Sequence, residues 1–158
     1  MTDPNPCRII GVLDDGPASL TPTALAHIRT ADVIVGAPRT LALFESQFKP
    51  GATTRDLTGQ LKAVPGWIGA AREAGQRCVV LATGDPLCWG IAPYLAARLC
   101  TEALDILPNV STLQLACARL GMPWQDAKLF SVHAKDAGPW QRGAGPDHGL
   151  HALAQAVH

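Results

Sequence analysis

The run Thr83-Gly84-Asp85-Pro86-Leu87-Cys88-Trp89-Gly90 sets a carboxylate, a thiol and two glycines within one short stretch. Directly before it stands Cys78-Val79-Val80-Leu81-Ala82, an apolar, β-branched run of the kind that forms a buried strand. A glycine at the end of such a strand lets a ligand approach the backbone closely. A carboxylate beside it accepts hydrogen bonds from a hydroxyl or an amine. The same residues also read as an ordinary strand-to-helix turn with Asp85 as its cap.

Other polar groups are weaker candidates. Pro108-Asn109-Val110-Ser111-Thr112 follows the apolar run Leu104–Leu107. Its hydroxyls can bind a ligand or cap the next helix, and on residue type alone capping is favoured. Asp14 and Asp15 are adjacent, so they do not converge as an acid/base pair and read as a solvated loop. His148 and His151 are three apart, with His158 one heptad beyond His151. A metal site needs a further ligand on a fixed scaffold, so a solvated face is the better reading. His133 and Lys135 close the run Lys128–His133, either at a cleft or at a plain strand end. Cys78 and Cys100 suit packing. Cys88 lies in the candidate site without a visible partner base, so it is not read as a nucleophile. Trp67, Trp89, Trp124 and Trp140 are too scattered to form a stacking platform.

Several chemistries are excluded by missing motifs. The chain has no G-x-x-x-x-G-K-[ST], no G-x-G-x-x-G after its first strand and no G-x-S-x-G. A P-loop NTPase, an ordinary dinucleotide fold and an α/β-hydrolase are therefore disfavoured.

The elements that must position these residues alternate between strand and helix. Strands are predicted at Cys7–Leu13, Ala31–Val35, Cys78–Ala82, Leu104–Leu107 and Lys128–His133. Helices are predicted from Pro22, with Thr21 as N-cap, and over Thr40–Phe48, Leu61–Ala74, Gly90–Cys100, Thr112–Leu120 and Gly149–Val157, with Pro65 and Gly66 breaking the first turn of the third. Pro50–Gly59 reads as a polar loop. The expected fold class is α/β, a mostly parallel sheet with flanking helices. In such sheets ligands sit beyond the carboxyl ends of the strands. Three loops leave those ends: Asp14–Pro17, Thr83–Cys88 and Pro108–Thr112. The expected organisation is an N-terminal α/β domain over 1–123 and the truncated start of a second α/β domain over 124–158, after which a longer chain is expected to continue.

Composition narrows the class. Of 158 residues, 47% are apolar and 16% charged, with 15 glycines and 13 prolines. About 25% charged is usual, so apolar surface is ample and disorder is excluded. The 13 basic and 13 acidic residues cancel, which argues against a nucleic-acid partner. No apolar run approaches the roughly 18 residues of a membrane helix, and Met1–Pro6 does not open a signal peptide. Five widely spaced cysteines without C-x-x-C suggest a reducing cytosol. A cytoplasmic globular protein is the expectation.

Taken in order, the motifs resemble the tetrapyrrole methyltransferases, which methylate corrin and porphyrin precursors with S-adenosylmethionine. They are Ile9-Ile10-Gly11-Val12-Leu13-Asp14-Asp15-Gly16, Leu20-Thr21-Pro22, Ala31-Asp32-Val33-Ile34-Val35-Gly36 with Pro38-Arg39-Thr40-Leu41, Thr83-Gly84-Asp85-Pro86, Pro108-Asn109-Val110-Ser111-Thr112, and Phe130-Ser131-Val132-His133-Ala134-Lys135. The Asp-Asp-Gly loop and Arg39-Thr40-Leu41 are most similar to the precorrin carbon-5 methyltransferases and to the N-terminal part of the decarboxylating precorrin-6Y C-methyltransferases. Many members carry Gly-Pro-Gly where this chain has Leu13-Asp14-Asp15-Gly16.

The resemblance implies a fold, a cofactor and a site. Thr83, Gly84, Asp85 and Cys88, with Leu13 of the first loop, would line the S-adenosylmethionine site, which also holds the product S-adenosylhomocysteine. Ser111 and Thr112 would contact its adenosyl or methionine part. Arg39, His133 and Lys135 would face a carboxylate-rich precorrin. It also implies a homodimer, and fusion to or pairing with a second methyltransferase or decarboxylase domain. No metal, membrane or nucleic acid is implied. The competing readings are a non-catalytic, truncated tetrapyrrole-binding or docking module and an unrelated doubly wound nucleotide-binding domain.

Overall fold

The computed structural model describes residues 5–131, 139 and 145–157. Five strands form one sheet: β1 (Cys7–Val12), β2 (Val33–Gly36), β3 (Thr53–Asp56), β4 (Cys78–Thr83) and β5 (Leu104–Leu107). Their order is β3-β2-β4-β1-β5, and each neighbouring pair is parallel. The helices are α1 (Pro22–Thr30), α2 (Pro38–Phe44), α3 (Val64–Glu73), α4 (Ala92–Ala96), α5 (Thr112–Leu120) and α6 (His151–Ala156).

The three inner strands are nearly all apolar because both their faces are covered. Alternate residues divide between two cores. Cys7, Ile9, Val33, Val35, Cys78 and Val80 pack with Val64, Ile68 and Ala71 of α3 and Ala92 and Leu95 of α4. Ile10, Val12, Ile34, Val79 and Leu81 pack with Ala24 and Ile28 of α1 and Phe44 of α2. Topology explains this division. The connections from β1 to β2 and on to β3 run toward one edge, and those from β3 to β4 and on to β5 run back. Right-handed crossovers in opposite directions put their helices on opposite faces.

Local signals set most boundaries. The Thr21 hydroxyl accepts a hydrogen bond from the Ala24 N–H at 3.2 Å, and Pro22 opens α1. Pro65 likewise lies in the first turn of α3, preceded by a 3₁₀ turn at Leu61–Ala63, so the break expected there is real. At the amino ends of the strands Asp32 acts as a tie. Its carboxylate accepts from the Arg77 backbone N–H at 2.7 Å and pairs with the Lys49 ammonium. Its own N–H donates to the Arg77 carbonyl at 2.8 Å, and its carbonyl accepts from Thr53 N–H at 2.8 Å.

Four expectations change. Pro50–Gly59 is not all loop, because Thr53–Asp56 pairs with β2 as an edge strand. All four of its residues are exposed, so it has no apolar alternation to betray it. The helix expected over Gly90–Cys100 shrinks to Ala92–Ala96; at its start Gly90 belongs to the turn instead, packed against Pro86. The helix expected over Thr40–Phe48 starts at Pro38 and tightens to a 3₁₀ turn at Glu45–Gln47. The strand expected over Lys128–His133 is absent across Lys128–Ser131, where Leu129 and Phe130 are exposed and no partner strand pairs; Val132 and His133 lie outside the described residues.

The chain divides into two compact units, Met1–Ala116 and Cys117–His158. The first holds the whole sheet and both cores. In the second, α6 is the last described element, and Leu120, Met122, Trp124, Leu129, Phe130, Leu153 and Val157 are exposed. Among the described residues no helix is long and apolar enough to cross a membrane.

Candidate functional site

Strand order reverses between β1 and β4: the chain leaves β1 toward one edge and leaves β4 toward the other. In open parallel sheets this is where a crevice forms beyond the carboxyl ends. Since β5 flanks β1 on its other side, the loops after β1, β4 and β5 lie side by side there.

Gly11 sits at their meeting point. A Cβ on it would come within 2.2 Å of the Gly84 carbonyl oxygen and 2.6 Å of the Asn109 nitrogen. Glycine is required here by close backbone approach rather than by φ. Gly84 itself has φ +69°, the left-handed region, and its N–H donates to the Val12 carbonyl at 2.8 Å. It faces the third loop, with the Val110 carbonyl oxygen 3.4 Å from where its Cβ would stand.

Two side chains hold the first loop in place. The Asn109 amide donates to the Gly11 carbonyl at 3.2 Å and the Ser19 carbonyl at 3.1 Å. Ser19 accepts from the Leu13 N–H at 3.3 Å and donates to the Gly16 carbonyl at 2.7 Å. Asn109 is thus the tie between β5's loop and the segment from β1 to Ser19. In the sequence Ser19 stands just before the Thr21 cap, and only its spacing to Gly16 points to an ST-type turn.

The second loop is a compact turn. Asp85 Oδ1 accepts the Leu87 N–H at 2.9 Å, and its carbonyl accepts the Cys88 N–H at 3.0 Å. The Pro86 carbonyl accepts from Ala92 N–H at 3.1 Å. Asp85 therefore organises the turn, and the residue is half-buried. Thr83 is exposed and Cys88 half-buried.

On the third loop, Ser111 and Gln114 form a reciprocal capping box. Ser111 Oγ accepts from Gln114 N–H at 3.2 Å, and Gln114 Oε1 accepts from Ser111 N–H at 2.9 Å. Ser111 is buried, and the capping reading describes its hydroxyl; Thr112 beside it is exposed.

The remaining candidates separate. Leu13 is half-buried with its N–H taken by Ser19, so its side chain is what it offers. Arg39 is the second residue of α2 and pairs with Asp14 at 2.9 Å. Both partners are exposed, so the pair is worth no more than about 1 kcal/mol. It brings Arg39 to the first loop and so to the same edge as the crevice. His133 and Lys135 lie outside the described residues. Leu13, Thr83, Gly84, Asp85, Cys88, Ser111 and Thr112 are all drawn to the β1, β4 and β5 loops. Among the described residues no group of three His, Cys, Asp or Glu is placed to hold a metal.

The loops after β1, β4 and β5 thus meet at the switch point of a parallel sheet, the place where α/β domains of this kind bind ligands. Comparison with known proteins makes the class specific. The family model for Tetrapyrrole (Corrin/Porphyrin) Methylases matches residues 7–157, and the chain belongs to this family. It is 36% identical over 127 residues to the cobalt-precorrin-7 C(5)-methyltransferase of Salmonella typhimurium, covering 80% of this chain and 61% of that protein. It is 35% identical over 127 residues to the precorrin-6Y C(5,15)-methyltransferase [decarboxylating] of Sinorhizobium sp, covering 80% of this chain and 30% of that one. The solved precorrin-6Y methylase of Archaeoglobus fulgidus superposes with a TM-score of 0.64 at 25% identity, covering 82% of this chain and 65% of that one. The chain thus spans less than two thirds of the length of these relatives.

Proposed function

We propose that the chain is an S-adenosylmethionine-dependent methyltransferase that methylates a carbon of a precorrin of the precorrin-6Y or precorrin-7 type, in cobalamin biosynthesis. The observation that carries this is the convergence of the β1, β4 and β5 loops on Gly11, with Asp85 held beside it, in a chain whose relatives are named for that reaction.

The residues present fit the cofactor. S-adenosylmethionine presents ribose hydroxyls, an amino-acid end and a positive sulfonium. The Asp85 carboxylate and the exposed Thr83 and Thr112 hydroxyls match those groups, and Gly84 offers backbone without a side chain in the way. When bound, it would supply an electrophilic methyl group for in-line transfer to a nucleophilic ring carbon, with S-adenosylhomocysteine as the leaving group. The chain's own residues then hold and orient rather than activate. Asp85 fixes the ribose, Leu13 and Cys88 close apolar surface around the cofactor, and Ser111 keeps the third loop at its N-cap so that Thr112 faces the methionine or adenosyl part. Positioning alone can remove much of such a barrier, which suits a site with no nucleophile–base pair. Arg39 meets substrate carboxylates, exchanging Asp14 for them. His133 and Lys135 are proposed to serve the same substrate. Residues 124–158 are proposed to belong to a second α/β domain, in a cytoplasmic homodimer joined to or paired with a second catalytic domain.

The test is calorimetric titration of S-adenosylhomocysteine into the wild-type chain and Asp85→Asn. The asparagine keeps an oxygen for the Leu87 N–H, so the turn survives and only the charge is lost. Wild type should bind, and the variant should bind about tenfold more weakly, the difference between a charged and a neutral hydrogen bond. Equal affinities would remove Asp85 from the cofactor site.

A further inference from the structure

Trp89 is the one described non-glycine residue with positive φ, at +52°. The left-handed region disfavours any side chain with a Cβ, and a bulky one most. Glycine is what this backbone position asks for. The next residue is held close as well, since a Cβ on Gly90 would lie 2.4 Å from the Pro86 carbonyl oxygen. Nor does packing recommend an indole, because Trp89 stays 47% exposed. A large aromatic is thus kept where neither backbone nor core favours it. Such outliers, held by over-determined surroundings, cluster at ligand sites.

Its neighbours are apolar and exposed as well. Leu87, on the same loop, is 54% exposed and Val110, on the loop after β5, is 39% exposed. These loops touch, as the Gly84–Val110 approach shows. Three exposed apolar side chains therefore stand on the two loops bordering the crevice. The polar groups, Asp85 and Thr83, lie nearer the strand end. This arrangement has a polar inner part for a small, hydroxyl-rich molecule and an apolar rim for a broad, flat one.

We propose that Trp89 is the residue that recognises the face of the tetrapyrrole ring, stacking on it at the rim with Leu87 and Val110 beside it, and that it does not contribute to cofactor affinity. This rests on the methyltransferase reading above. A single indole, held out by its own backbone, serves as the stacking surface.

The test titrates two probes, S-adenosylhomocysteine and uroporphyrin III, into the wild-type chain and the variants Trp89→Gly, Trp89→Asn and Trp89→Phe. Glycine and asparagine both tolerate positive φ, so at least one should fold, as the urea midpoint reports. The expected result is porphyrin binding weakened about tenfold in both, the usual scale for a lost aromatic stack. Phenylalanine should retain most of the affinity, and all variants should bind S-adenosylhomocysteine like wild type. Unchanged porphyrin affinity in the glycine and asparagine variants would overturn the proposal. So would a parallel loss of S-adenosylhomocysteine binding, which would place the indole in the cofactor pocket. A wild-type chain that binds S-adenosylhomocysteine but no porphyrin refutes the role of Trp89 alone. One that binds neither refutes the methyltransferase reading and the proposal with it.

Discussion

At the scale of single residues, the site depends on two glycines with different physics. Gly11 has no room: its missing Cβ would collide with the backbone of Gly84 and Asn109, which cannot swing aside as a side chain can. Gly11→Ala should therefore destabilise the chain by about 3 kcal/mol, the upper range of overpacking, seen as a lower urea midpoint. Gly84 has room but the wrong φ for a side chain. Gly84→Ala should cost about 1–2 kcal/mol, the strain of a left-handed alanine, and weaken S-adenosylhomocysteine binding through a shifted Asp85 turn. The run around Asp85 was legible in the sequence because glycine, aspartate and proline are turn formers whose chemistry is local. The need for glycine at position 11 was not, because the atoms that forbid a Cβ come from residues more than 70 positions away along the chain.

At the scale of elements, the loops are held by side chains that cross between strands. Asn109 carries two carbonyls of the first loop, so Asn109→Ala should leave both without their donor. The expected loss is about 2 kcal/mol of stability, with reduced S-adenosylhomocysteine affinity, read by urea unfolding and calorimetry. Ser111→Ala removes one arm of the capping box and should cost about 1 kcal/mol. The contrast is instructive. Ser111 as cap is readable because its partner Gln114 is three residues away, whereas Asn109 reaches partners 98 and 90 residues back. The same rule explains β3 and the absent strand at Lys128–Ser131. An edge strand exists by virtue of its partner, so Thr53–Asp56, without apolar alternation, pairs with β2. Leu129 and Phe130 have the composition of a strand but nothing to pair with among the described residues.

At the scale of the whole sheet, Asp32 ties the amino ends of β2, β3 and β4. The Lys49 ammonium, then the Arg77 backbone N–H, hold its carboxyl below the ordinary carboxylate value. A depressed pKa contributes stability that is present above the unfolded-state value and lost as pH falls through the folded one. Asp32→Asn should thus be less stable than wild type at pH 7, and the gap should narrow below about pH 4, where the unfolded carboxyl takes its proton. Urea midpoints at pH 7 and pH 3 check this; a gap of equal size at both would exclude the charge as its source.

What the sequence by itself determined is whatever depends on neighbours along the chain. That covers the strand runs, the Thr21 cap, the turn at Gly84-Asp85-Pro86, the α/β alternation and the family. Each rests on a short window of residue types and periods. Only the tertiary structure decided which loops share a crevice. Strand order sends β4 and β5 to the two sides of β1, and that order is set by crossovers that bury two cores on opposite faces. From it follow the closeness of Gly11, Gly84 and Asn109, and the exposure of Trp89 at their rim. Burial acts between surfaces without regard to separation along the chain, so no local window contains it.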